Sequence, residues 1–198
     1  MPSSSDFPDL IDVLINIGAV IPALIMMLQA FTALIGLYLV SSSFIEIWGV
    51  TNDNALKYVA GRQKYSIGSA IITLFIGSFL LALSTLELVG VLSRTLSGGY
   101  ASSRITAESL AYTSGGGLEE KAQIATLVLL GIMQVVGFIA ILKGWLTLNQ
   151  YYNQQGQASL SQSWGWMIGG ILAWNFKWFS DVINNTLGFN LIGLFTPF

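Results

Sequence analysis

The sequence predicts an all-α, polytopic membrane protein in which four transmembrane helices form two tandem helical hairpins. Of the 198 residues, 54% are hydrophobic and only 9% charged, far from the roughly one-quarter charged composition of a soluble domain. Uncharged runs recur at or above the roughly 20 residues that cross a bilayer core as a helix. Short polar segments separate the runs in pairs, and one longer Gly- and Ser-rich segment separates the pairs.

The opening "MPSSSDFPDLID" has no basic region and carries Asp6, Asp9 and Asp12, the wrong flank for a cleavable secretory signal. Between Asp12 and Glu46 lie 33 uncharged residues, more than one span requires. Pro22 offers the break, because it lacks a helix donor and its ring clashes with the preceding turn. Residues 1–22 therefore read as an interfacial lead-in, with the first span over about 23–45. The first hairpin, 23–93, is completed by the 22-residue uncharged run Tyr65 to Leu86.

Residues 94–121 are rich in Gly, Ser and Thr, the composition of a linker or a surface segment. The second hairpin occupies 122–186. Its third span follows the 21 uncharged residues from Ala122 to Leu142. Its fourth runs from about Ser163 to Phe179, with Lys177 near the outer end and Asp181 one turn on, spaced to pair. Residues 187–198 form an apolar tail too short to cross, suited to the membrane surface or a partner.

The first short loop holds Lys57, Arg62 and Lys64 and the second is bordered by Lys143, while the amino-terminal tail has no Lys or Arg. By the positive-inside rule the short loops face the cytoplasm, with both termini and the linker outside. The second loop, "NQYYNQQGQASLSQS", is uncharged. Amides can satisfy a neighbouring chain without the desolvation cost of an ion, so Gln154, Gln155 and Gln157, with the basic residues of the first loop, are candidates to face a partner or a lumen.

The hairpins align with each other. Over "LIGLYLVSSSFIEIW" from Leu34 and "VVGFIAILKGWLTLN" from Val135, Gly36 meets Gly137 and Phe44 meets Trp145. The second spans align with Gly77 over Gly169. Ser69, Thr73 and Gly77 then fall over Ser161, Gly165 and Gly169, which Ala173 continues. Small residues four apart make a stripe that admits a second helix closely enough for dispersion to drive association in lipid. A tandem repeat of this kind relates its halves by an axis along the membrane normal.

Other chemistry is sparse. With no Cys and no His, the chain lacks thiol nucleophiles, disulfides, thiolate or imidazole metal sites and imidazole acid–base groups. No cofactor is expected. The net charge is −2 and the eight Lys and Arg are scattered, which disfavours direct, sequence-specific binding of DNA or RNA. "SGGG" at Ser114 to Gly117 lacks the Lys-Ser/Thr of a phosphate loop, and Ser41 to Ser43 have no base partner. Glu46, Glu87, Lys143 and Lys177 fall near span ends, where long side chains reach the interface. Trp164, Trp166, Trp174 and Trp178 bracket the fourth span as interfacial anchors.

Residues 135–189 carry, in order, a Gly-containing span, "LKG", a Gln- and Gly-containing loop, "IGGILAWN" and "NTLGF". This resembles the carboxy-terminal half of the DotE/IcmC family of Dot/Icm type IVB secretion systems and the related TraQ proteins of IncI-type conjugation systems. The looser resemblance extends over Ala33 to Leu191. It implies a non-enzymatic bacterial inner-membrane component of a conjugation or effector-secretion machine, whose partners are lipid, other machine subunits and copies of itself. The matched positions are Gly137, Gly144, Gln155, Gly156, Gly169, Gly170, Asn175 and Gly188, and Asn175 is expected to bond a neighbouring helix. A pilus subunit is the alternative, since the chain looks like two pilin-like hairpins fused. A small transporter is a weaker third reading, because the middles of the spans are uncharged.

Overall fold

A computed structural model describes residues 10–51, 67–100, 118–153 and 156–188, and every regular element among them is helical. The elements are α1 (Leu10–Thr51), α2 (Ile67–Ser84), α3 (Glu87–Ser97), α4 (Leu118–Tyr152), α5 (Leu160–Trp174) and α6 (Phe176–Leu187). Three helices are long and apolar enough to cross a membrane: Asn16–Thr51, Ile67–Ser84 and Gln123–Tyr152. They expose Met26, Phe31, Leu34, Phe75 and Val136, apolar surface on a scale that suits lipid as its solvent.

The chain packs as two antiparallel helix pairs, α1 on α2 and α4 on α5. The pairs meet chiefly through α4, which lies against both α1 and α2. Gly18 of α1 faces Val128 near the start of α4. At the opposite end, the last turns of α4 meet the first turns of α2, so α1 and α4 run in the same direction. The larger core cluster combines Leu39, Ile76, Leu80, Leu83 and Val89 with Phe138, Ile141, Ile171 and Trp174. A smaller one joins Ile21 and Ile25 to Ile124 and Val128.

Three sequence expectations about helix boundaries are corrected. Pro22 does not end a helix: α1 runs unbroken through it for 42 residues. In an apolar medium no water competes for backbone groups, and Ile21 and Ile25, on either side of the proline, are clamped against Ile124 and Val128. The fourth span is not one helix from Ser163 to Phe179. The helix breaks at Asn175, which ends α5 and begins α6, leaving α5 with 15 residues. Part of the expected linker is also helical, since α3 runs to Ser97 and α4 starts at Leu118. Residues 101–117 lie outside the described residues.

The break between α2 and α3 has a different origin. Leu86 adopts a left-handed backbone, φ 64°, which costs an L-residue about 1–2 kcal/mol. Its side chain packs against both core clusters, so burial offsets the strain. The turn releases α3, which is short and amphipathic, the form a helix takes when it lies along an interface.

Candidate functional site

Three sets of interhelical contacts hold the described helices together. In the first helix pair, a Cβ built on Gly36 would lie 3.0 Å from Gly77 O and from Leu81 N, and one on Gly77 would lie 2.9 Å from Val40 N. In the second pair, a Cβ on Gly137 would lie 2.6 Å from Gly170 O and from Trp174 N, and one on Gly170 would lie 2.7 Å from Ile141 N. The two crossings are the same crossing. Gly36 corresponds to Gly137, Val40 to Ile141, Gly77 to Gly170 and Leu81 to Trp174. The second crossing is extended by Gly144, whose Cβ would meet Met167 N at 3.0 Å, and by Ser163 Oγ, which donates to Gly144 O at 2.8 Å.

This geometry corrects the small-residue stripe. Thr73 and Gly77 are buried on α2 and Ser69 is half-buried, but Ser161, Gly165 and Gly169 on α5 are exposed and Ala173 is half-buried. A Cβ on Gly165 or Gly169 would meet nothing within 4 Å. The inward face of α5 is instead Ser163, Met167, Gly170, Ile171 and Trp174. Gly77 therefore aligns with Gly170, one residue beyond the glycine that the sequence comparison chose.

The second contact set is a hydrogen-bonded network joining α2 to α4. Thr73 Oγ1 donates to Asn149 Oδ1 at 3.2 Å, and Asn153 Nδ2 donates to Thr73 Oγ1 at 3.1 Å and to Asn149 Oδ1 at 2.8 Å. Ser69 Oγ donates to Asn153 Oδ1. Two hydroxyls at i, i+4 thus face two amides at i, i+4, and buried polar atoms that lipid could not satisfy satisfy one another. Beside it Phe79 stacks on Trp145, with centroids 4.6 Å apart and planes at 15°. Sequence reasoning missed Asn149 and Asn153, although the matching spacing of the two pairs is a signal that could have found them.

The third set lies at the other end of the bundle. Asn175 is buried, and its Nδ2 donates to Ser93 Oγ at 2.7 Å and to Ile171 O at 3.0 Å. The amide that the sequence singled out as an interhelical donor thus ties the α5–α6 break to α3.

The other predicted residues divide. Trp164 and Trp166 are exposed and Trp178 is half-buried, positions open to an interface. Trp174 is not an interfacial anchor: it is 4% exposed, with its ring against Phe138 at 6.3 Å, because it closes the Gly137–Gly170 crossing. Lys177 and Asp181 are both exposed, and among the described residues no ion pair joins them. Lys143 places Nζ 3.9 Å from the ring centroid of Trp166, a cation–π contact between α4 and α5. Glu46 does not reach outward from a helix end. It is 4% exposed, on the buried face of α1 with Leu39 and Ser43, since α1 continues to Thr51. Gln157 is exposed in the second turn, whereas Lys57, Arg62, Lys64, Gln154 and Gln155 lie outside the described residues.

No family model matches this chain, and neither the curated proteins nor the solved structures compared with it contain a match.

Proposed function

We propose that the chain is a non-enzymatic, multi-pass subunit of a bacterial type IV, IVB-like conjugation or secretion apparatus in the inner membrane. It acts by helix packing within a larger assembly that moves DNA or protein. The observation that carries this reading is where the family-like positions fall. Gly137, Gly144 and Gly170 are each at a close backbone approach between α4 and α5, and Asn175 bonds α3 across the bundle. Residues of that pattern serve rigid interhelical contact, and neither catalysis nor a cofactor is assigned to the chain.

In this reading the protein crosses four times, with the short loops in the cytoplasm. At about 1.5 Å per residue, α5 by itself covers roughly 22 Å of a hydrocarbon core about 30 Å thick. The first turns of α6 complete the crossing, so Asn175 lies where the helix is broken within the membrane. Its buried bond to Ser93 meets the requirement that freed polar groups there find protein partners.

The repeated glycine crossing favours one second reading, a pilus subunit made of two fused pilin-like hairpins. Deletion and complementation scored for DNA transfer test the first reading, with transfer expected to fall on deletion and return with the intact gene. Fractionation then separates the two: a tagged copy confined to inner membranes excludes the pilus subunit, and a tagged copy dominating sheared extracellular filaments establishes it.

A further inference from the structure

We propose that a second copy of this chain docks on the outer face of α5, repeating between copies the packing that joins the two helix pairs within one chain. The correspondence set by the glycine crossings maps each pair onto the other. Within the chain, α2 presents Thr73 and Phe79 to Asn149 and Trp145 of α4, and Ile76 shares a buried cluster with Phe138. Carried across the repeat, that α2 face becomes Trp166, Leu172 and Gly169 on α5. The α4 face becomes Trp48, Phe44 and Leu37 on α1.

Most of those carried-over positions are left open by the chain's own packing, with Lys143 of the same chain lying over the Trp166 ring. Trp48 is 61%, Phe44 59% and Leu37 56% exposed, and Trp166 is 37% exposed. Leu172 is half-buried, and a Cβ on Gly169 meets nothing within 4 Å. The first pair thus uses its return-helix face against the second pair, and the second leaves the same face largely open. The second pair uses its outgoing-helix face, and the first leaves that one bare. The chain is a two-unit stack with complementary ends. Docking of one end on the other is heterologous, so it propagates to a ring if the rotation closes and to a filament if it does not. It requires only membrane insertion and the repeat, so its failure leaves the role in transfer standing.

The chain has no cysteine, which makes introduced pairs unambiguous reporters. The intrachain contacts Phe79–Trp145 and Thr73–Asn149 translate to Leu172–Phe44 and Trp166–Trp48 between copies. Full-length protein carrying F44C and L172C, oxidised in native membranes, is expected to give a ladder of dimers, trimers and larger species. Co-expressed F44C and L172C copies are expected to stop at dimers, and W48C with W166C to behave likewise. Adding G169L to the F44C/L172C variant is expected to abolish the ladder with the detergent stability of the monomer unchanged, because the added side chain starts from a Cβ that meets nothing in its own chain. Monomer alone from both cysteine pairs would overturn the proposal in favour of lipid on this face. Dimers from F44C alone, as abundant as from the pair, would overturn it in favour of a symmetric α1 contact. A ladder that survives G169L would also refute it.

Discussion

At the scale of residues, the contrast between Gly169 and its neighbour Gly170 defines what this protein demands of a side chain. Gly170 lies against the backbone of α4, and an added Cβ would come within 2.7 Å of Ile141 N and of Gly137 O. Neither is the movable end of a side chain, so the helices must separate. Gly170→Ala and Gly137→Ala are each expected to cost about 1–3 kcal/mol by overpacking, while Gly169→Ala stays within about 0.5 kcal/mol of the parent. Unfolding in mixed detergent micelles measures both. Trp145 offers the opposite case. Its ring stacks on Phe79, but its buried Nε1 has no acceptor among the described residues. Trp145→Phe keeps an aromatic ring and removes the orphaned donor, so it should be near neutral, whereas Trp145→Ala should cost about 3–5 kcal/mol.

Among the elements, α5 is the most dependent on its ends. Its N-cap is Ser159, whose side chain accepts from Gln162 N, and its other end is the break at Asn175. Ser159→Ala is expected to cost about 1 kcal/mol and to speed amide exchange in the first turn of α5 with little effect elsewhere. At the break, a double-mutant cycle with Asn175→Ala and Ser93→Ala should return a coupling of about 0.6 kcal/mol, the average for interhelical hydrogen bonds in lipid, and no more than about 1.7. Coupling near zero would mean that Asn175 is retained for its bond to Ile171 O and not for its hold on α3. The unbroken path of α1 through Pro22 shows the complementary principle: a missing donor ends a helix only where the freed carbonyl gains from water or where packing does not restrain the chain on both sides.

For the whole molecule, three helices are long and apolar enough to cross a membrane, and the proposed fourth crossing would put the short turn and the α3 and α6 ends on opposite sides of it. In right-side-out cells, an impermeant maleimide is expected to label Ser97→Cys and Thr186→Cys and to spare Gln157→Cys, with the pattern reversed in inverted vesicles. Labelling of Gln157→Cys and Thr186→Cys from one side would remove the fourth crossing and leave the three long helices as the spans. The bonds Thr73–Asn149 and Asn175–Ser93 sit at opposite ends of the bundle, so together they resist both sliding and splaying of one pair against the other.

The helical class, three of the four membrane-length runs and the equivalence of Gly36 with Gly137 were legible in the sequence, because charge depletion and glycine spacing are properties of the chain in one dimension. Which side of each helix faces inward was not. A helix apolar all round has no polar stripe to mark its outer face, so Ser161, Gly165 and Gly169 looked as suitable for burial as Ser163 and Gly170. The same ambiguity sent Trp174 to the interface and Glu46 outward, and it hid Asn149 and Asn153 among loop-like amides. The sequence by itself determined that this chain belongs among apolar helices and where its closest approaches could occur. Only the tertiary structure decided which glycine of an adjacent pair is pressed against a neighbour and which is left bare, because that choice depends on the rotation of each helix, set by the sum of its contacts.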